Sequence, residues 1–120
     1  MLNMRHFYYT EIHPEDIDKP AVDAKRRWLV TKEKGSPNFT MAMVEVAPGG
    51  STLRHSHHYE HAMYFIDGNG ELLEANGTSP VSPWEVVYIE PNELHQIRNT
   101  GSRVLRFLSV EPIAKEEKKA

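Results

Sequence analysis

The chain has 120 residues and a mass of 13.8 kDa, which predicts one small domain with a single core. Its 14 Lys and Arg and 17 Asp and Glu residues give a net charge of −3, so nucleic acids and membrane surfaces are not expected as partners. Cysteine is absent, which excludes disulfides and thiolate metal sites, and any metal must be held by nitrogen or oxygen. No apolar run approaches the ~20 residues of a membrane span, and we predict a cytoplasmic protein.

The first 36 residues mix aromatic, charged and turn-forming side chains. They predict an N-terminal arm with one short strand at 28–31. From Phe39, side chains of alternating character predict a strand that ends at the Pro- and Gly-containing turn 47–50.

Further short strands are predicted at 62–66, 71–74, 84–89, 96–99 and 104–110, and Gly and Asn residues separate them. Regularly spaced short strands of this kind are typical of an all-β sandwich or barrel. The barrel is predicted to span 37–112. The mixed charges of 113–120 predict a frayed C-terminal tail.

Four of the seven histidines, namely His55, His57, His58 and His61, lie within seven residues. On an extended strand His55 and His57 point to the same face with Cα atoms ~6.6 Å apart, so both imidazoles can bind one ion. His58 then faces away, and His61 reaches the same ion only if the chain bends at 58–60. The spacing therefore predicts a metal site at a corner of the chain.

His95 is the fourth candidate ligand, because it opens the predicted strand at 96–99. It must then lie beside the strand that carries His55 and His57. A small β-barrel brings such distant segments together and directs alternate side chains to its interior. We predict four neutral imidazoles, from His55, His57, His61 and His95, around one ion inside a barrel.

The stretch from Gly49 to Gly68 resembles the first motif of the cupin superfamily, with histidines at the ligand positions 55 and 57. A glutamate usually stands where this chain has His61. The stretch through His95 resembles the second motif more loosely, with Asn99 four residues after the histidine. Trp84 and Asn92 occupy its two glycine positions. The resemblance covers residues 37–112 and implies a double-stranded β-helix, or jelly-roll, barrel.

The run His55-Ser56-His57-His58-Tyr59-Glu60-His61 is similar to that of small single-domain bacterial cupins of the manganese type, which carry four histidines and no glutamate. This likeness implies a homodimer with one divalent metal ion per chain, manganese first. It also implies the ligands His55, His57, His61 and His95. Oxidative cleavage of alkenes is known for one branch of these cupins.

Glu60 is the alternative to His61 as a ligand, but that choice shifts the register relative to Gly68. The choice matters chemically, because four neutral imidazoles leave a divalent ion its full +2 charge whereas a carboxylate reduces it to +1. Imidazole ligands alone suit Fe, Ni, Cu and Zn, so manganese rests on the resemblance.

The barrel-facing neighbours of the histidines are predicted to form a substrate pocket. On the last predicted strand Phe107 and Ser109 share one face, and the resemblance puts both near the metal. Met41, Met43 and Phe65 are further pocket candidates, although apolar residues of this kind also fill barrel cores. The candidates for proton transfer are His58, Tyr59 and Glu60, which lie within the histidine cluster.

These features lead to two hypotheses. The first is a metal-dependent enzyme that acts on a small organic molecule, with oxygen-dependent cleavage ahead of isomerase or lyase chemistry. The second is a non-catalytic module in which the metal anchors a sugar or metabolite. A purely structural metal is a third reading, in which removing the ion would unfold the barrel.

Overall fold

In the computed structural model, which describes residues 4–113, antiparallel strands make up most of the chain. The strands are β1 (Glu15–Asp16), β2 (Val22–Val30), β3 (Phe39–Ser51), β4 (His61–Asp67), β5 (Gly70–Glu74), β6 (Gly77–Val81), β7 (Val86–Ile89), β8 (Gln96–Asn99) and β9 (Leu105–Pro112). A short 3-10 helix occupies Tyr9–Glu11. No helix within residues 4–113 is long and apolar enough to cross a membrane.

The strands form one curled sheet in the order β6-β5-β8-β3-β9-β4-β7, and β2 pairs with the other edge of β3. The 13-residue strand β3 makes this curling possible, because it pairs with three different strands along its length. Its first part pairs with β9, and its last residue, Ser51, lies opposite Arg98 of β8. Strands that are distant in sequence therefore surround a common interior.

The predicted strand positions agree with five observed strands to within two residues at each end, and 96–99 agrees at both ends. The N-terminal segment differs more, because β2 is nine residues long and pairs with β3 over most of its length. Strand β6 was not predicted, since its sequence Gly-Thr-Ser-Pro-Val has a turn composition. Cross-strand pairing with β5 stabilises it, which local sequence does not reveal. Most of the predicted tail at 113–120 lies outside the described residues.

The core lies inside the curled sheet. Its largest fully buried side chains are Val46, Phe65, Ile97, Leu105 and Phe107, which come from β3, β4, β8 and β9. Phe65 and Phe107 lie opposite each other in the β4–β9 pairing, with ring centroids 4.8 Å apart. This apolar packing holds together the strands that carry the histidines.

Tight turns at the sequence-motif positions set the strand register. Gly68 has a φ of +82°, and a Cβ there would lie 2.5 Å from the carbonyl oxygen of Val104, so only glycine fits without a shift. Asn92 and Trp84, which stand at the second motif's glycine positions, also have positive φ values, +69° and +75°. Asn92 and Trp84 thus adopt the left-handed backbone conformation that glycine adopts readily.

Candidate metal centre

The histidines come together because the backbone joins their segments directly. His55 and His95 form an antiparallel bridge, with His55 N donating to His95 O at 3.1 Å and His95 N to His55 O at 3.0 Å. His57 follows in the loop, where its carbonyl oxygen accepts a hydrogen bond from the backbone N–H of Asn92 at 2.6 Å. His61 is the first residue of β4. The chain thus turns a corner between His57 and His61, as the spacing required.

The four imidazole rings form a close group. The ring centroids are 4.7 Å apart for His55 and His95, 5.0 Å for His57 and His95, and 5.5 Å for His57 and His61. The ligand atoms of His55, His57 and His95 all lie within 4.8 Å of one another. Those of His57, His61 and Glu111 form a second such group, so His57 belongs to both.

Hydrogen bonds to carbonyl oxygens set the tautomers of two rings. His57 Nδ1 lies 2.9 Å from the Tyr59 carbonyl oxygen, and His95 Nδ1 lies 2.9 Å from that of Glu93. A carbonyl oxygen only accepts, so Nδ1 carries the hydrogen in both rings. In the neutral rings Nε2 therefore keeps its lone pair, and His95 Nε2 lies 3.1 Å from His55 Nε2. Such outer hydrogen bonds are typical of histidines that bind metals.

Burial favours the neutral form of His55, His61 and His95. It lowers the pKa of His55 and of His61 to about 4, with further lowering by the neighbouring histidines. The pKa of His95 is also lowered by burial, although its hydrogen bond to Glu93 opposes this change. At neutral pH these imidazoles are uncharged, which is the form that binds metal ions.

His61 has a different environment. Its Nε2 shares a 2.6 Å hydrogen bond with Ser109 Oγ, and its Nδ1 is buried without a partner among the described residues. A buried nitrogen without a partner is uncommon in proteins and indicates a group that an ion or ligand satisfies. The donor set therefore fits a divalent metal ion, with His55, His57 and His95 as one group of possible ligands and His61 beside them.

A cavity of about 180 Å³ adjoins the four histidines. Of the predicted pocket residues, Phe107 and Ser109 line this cavity, whereas Met41, Met43 and Phe65 do not. The alternation of β3 explains the two methionines, since Thr40, Ala42 and Val44 face the cavity and Met41 and Met43 face the opposite side. Phe65 belongs to the closed core. The structure therefore does not bring these three pocket candidates to this cavity.

Of the three candidates for proton transfer, only Tyr59 lines the cavity. Its ring stacks on His57 with a centroid distance of 4.2 Å, and burial together with Glu111 raises the pKa of its hydroxyl. His58 and Glu60 have exposed side chains outside the cavity wall, because they point away at the corner. The structure therefore brings Tyr59, but not His58 or Glu60, to this cavity.

The sequence analysis missed three polar or aromatic residues of the cavity wall, namely Glu111, Arg26 and Trp28. Burial raises the pKa of the Glu111 carboxyl, while His57 and Arg26 act in the opposite direction. Glu111 has the same parity on β9 as Phe107 and Ser109, so extending the predicted last strand by one residue would have found it. Arg26 lies before the predicted strand at 28–31, and Trp28 begins that strand, but the pairing of β2 with β3 that turns both residues to the cavity was not predicted.

A second, more open recess of about 600 Å³ adjoins the cavity and shares Trp28, Thr40, Tyr59 and Glu111 with it. Lys32 and Lys34 lie on its outer wall. The cavity and the recess therefore adjoin at these shared residues.

Comparison with known proteins decides the family, because the model of the cupin domain matches residues 42–111, more than half of the chain. The chain belongs to the cupin family. This result and the curled antiparallel sheet confirm the predicted all-β cupin fold. The matched segment begins within β3 and ends within β9.

Curated relatives of this cupin have different activities. It is 33% identical to the oxalate-binding protein of Thermotoga maritima over 70 residues, 58% of each chain. It is 31% identical over 64 residues to a 1-methylthio-D-xylulose 5-phosphate methylsulfurylase of Rhodospirillum rubrum, covering 53% of this chain and 41% of the relative. This chain therefore spans about half the length of these relatives.

Among solved structures, the polyketide cyclase RemF of Streptomyces resistomycificus superposes with a TM-score of 0.88 and 29% identity. The superposition covers 94% of this chain and 82% of that protein. It therefore includes both the cupin domain and most of the N-terminal segment that precedes it.

Proposed function

We propose that this cupin binds a divalent metal ion through His55, His57, His61 and His95 and catalyses a reaction of a small organic molecule in the adjoining cavity. The observation that carries the proposal is the tautomer of His57 and His95. Their Nδ1 hydrogens point to carbonyl oxygens, so their Nε2 lone pairs are left for a metal beside a cavity.

A divalent ion bound by neutral imidazoles would act as a Lewis acid that polarises an oxygen of the substrate. Around it, the chain provides a mostly apolar enclosure that includes Leu53, Met63 and Phe107. Such an enclosure excludes water and strengthens electrostatic interactions. At about 180 Å³ the cavity is smaller than the ~300 Å³ lower limit typical of drug-sized ligands, which favours a small substrate.

Glu111 is the residue that we propose for proton transfer, in place of His58 and Glu60. Its carboxyl lines the cavity next to His57 and His61 and belongs to the same group of ligand atoms. A carboxyl group in this position can accept a proton from a carbon or hydroxyl next to a polarised oxygen. This arrangement favours isomerase, lyase or cyclase chemistry, and places it ahead of the oxygen-dependent cleavage that the sequence resemblance favoured.

The relatives support a small, oxygen-rich ligand, since the names of two of them specify oxalate and a sugar phosphate. They also support the second candidate function, a non-catalytic binding module, because one of them is named only for binding. Manganese, a homodimer and a cytoplasmic location belong to the same proposal. Manganese and the dimer rest on the sequence resemblance and the location on composition.

Metal analysis tests the ligand set. Protein purified without chelator is expected to bind about one equivalent of a divalent metal per chain, and His57→Ala and His95→Ala are each expected to lose most of it. His58→Ala is the matched control, because its exposed ring lies in the same loop outside the cavity. Unchanged metal content in either ligand variant would contradict the proposed site.

A substrate screen tests catalysis. We would reconstitute the protein with Mn, Fe, Ni, Cu or Zn and follow product formation with and without dioxygen. Turnover without dioxygen that is lost in Glu111→Gln, with metal content retained, supports the proposed chemistry. Turnover only with dioxygen would favour oxidative cleavage, and saturable binding without product would favour the binding module.

A further inference from the structure

The wall of the cavity also carries an arginine, Arg26, that the proposed function has not used. Arg26 lies on β2 opposite Val44 of β3, and Trp28 lies opposite Ala42. Directly paired residues of neighbouring strands point to the same face of a sheet. Because Val44 and Ala42 face the cavity, Arg26 and Trp28 face it too, and all four line it.

The guanidinium of Arg26 is held in place from one side only. It lies over the Trp28 ring, with its Cζ 4.5 Å from the ring centroid. Trp28 Nε1 donates a 2.7 Å hydrogen bond to Glu15 Oε1, and Arg26 Nη2 reaches the same oxygen at 3.4 Å. This Glu15 carboxyl is 53% exposed, so the pairing is weak and screened by water.

The Nε of Arg26 is buried and has no hydrogen-bond partner within residues 4–113. Buried donors of a charged group are nearly always paired, because leaving one unpaired costs the full desolvation of that group. No ion pair within 4 Å links Arg26 to Glu111 among the described residues. The free Nε hydrogen therefore indicates a ligand that completes this side of the guanidinium.

The charges of the cavity specify the kind of ligand. Among the described residues that line it, Arg26 is the single arginine or lysine and therefore the single permanent cation. The planar edge formed by Nε and an Nη of arginine matches the two oxygens of a carboxylate. Phosphate also binds arginine, but a small cavity with apolar walls favours the flatter, singly charged carboxylate.

We propose that Arg26 is a substrate-binding residue that pairs with a carboxylate, so that the substrate is a small organic acid. Its carboxylate lies at Arg26, and a second oxygen of the same molecule points to the histidine cluster. This inference rests on the proposed function for the identity of the substrate site. Binding of a carboxylate at Arg26 is measurable without turnover.

The test measures the binding of matched pairs of probes to the zinc-loaded protein. Binding is monitored by the NMR signal of the Arg26 Nε–H group and by calorimetry. The pairs are acetate and acetamide, pyruvate and pyruvamide, and benzoate and benzamide, with inorganic phosphate as a further probe. At least one carboxylate is expected to bind with at least tenfold higher affinity than its amide. The same carboxylate is expected to shift the NMR signal of the Arg26 Nε–H group.

Arg26→Gln is expected to weaken that carboxylate at least tenfold and to leave the amide unchanged. Arg26→Lys should recover part of the affinity, since it restores the charge without the planar edge. Arg103→Gln is the matched control, because this arginine is 72% exposed and pairs with Asp67 away from the cavity.

The inference is wrong if no carboxylate binds, if acid and amide bind equally, or if phosphate alone binds. It is also wrong if Arg26→Gln and the wild type have the same affinity for the carboxylate. Metal content is measured on every sample, which separates this inference from the proposed function. Carboxylate binding that depends on Arg26 in a protein that takes up no metal supports Arg26 and contradicts the metal site.

Discussion

The pH dependence of stability in the metal-free protein follows from the burial of His61. The side chain is 8% exposed, and burial together with His95, His57 and His55 lowers its pKa from 6.5 to about 4. As pH falls below 6.5, the unfolded chain binds a proton at this residue and the folded chain does not. Stability is therefore fully present above pH 6.5 and is lost as pH falls towards 4.

The size of the effect follows from the same values. Each pH unit between 6.5 and about 4 corresponds to about 1.4 kcal/mol for one titrating group. His61 alone accordingly lowers the free energy of unfolding by at most about 3.5 kcal/mol across this interval. That is a large share of the roughly 5–15 kcal/mol that stabilises a small domain.

Urea denaturation of chelator-treated protein at a series of pH values measures this loss. The variant His61→Asn removes the titrating ring, so its stability should fall less steeply than that of the wild type between pH 6.5 and 4. His6→Asn, at an exposed position, should follow the wild type. The comparison uses slopes rather than absolute stabilities, since His61→Asn also loses packing. If the free energy of unfolding falls equally steeply with pH in the wild type and in His61→Asn, His61 does not cause this pH dependence.

Further changes test the ligand choice and the fold. Glu60→Gln should keep its metal, because the Glu60 side chain is exposed. His61→Ala should contain less metal than the wild type in elemental analysis. The opposite result would favour Glu60 as the ligand. Phe65→Ala should lower the free energy of unfolding by about 3–5 kcal/mol in denaturant titrations, since the ring is fully buried. Asn99→Ala should cost about 2 kcal/mol or more, because buried Asn99 Nδ2 donates to two carbonyl oxygens; an unchanged midpoint would contradict this.

Local residue patterns were sufficient to predict most strands and the histidine cluster. Alternating side chains and Gly or Asn turns act over a few residues, so they can be read directly from the chain. The segment of 96–99 was predicted at both ends for this reason. The Gly68 turn was also visible, because a positive φ beside a close backbone contact leaves glycine as the residue that fits.

Cavity walls were harder to predict, because they depend on how distant strands pair. Met41 and Met43 alternate as a strand should, but only the pairing of β3 with β2 and β9 decides which face turns inward. A shift of one residue exchanges the two faces of a strand. Arg26 was assigned to an arm for the same reason, since β2 becomes a strand through its pairing with β3.

Residue types alone established that metal ligands in this protein are nitrogen or oxygen atoms and that four histidines lie close together in the chain. They also predicted a chain of short strands. Strand pairing determines which groups share a cavity, and it places Glu111 and Arg26 beside the histidines although Arg26 and His95 are 69 residues apart in the chain. The physical reason is that strand pairing and core packing act between segments far apart in the chain, whereas residue type acts locally.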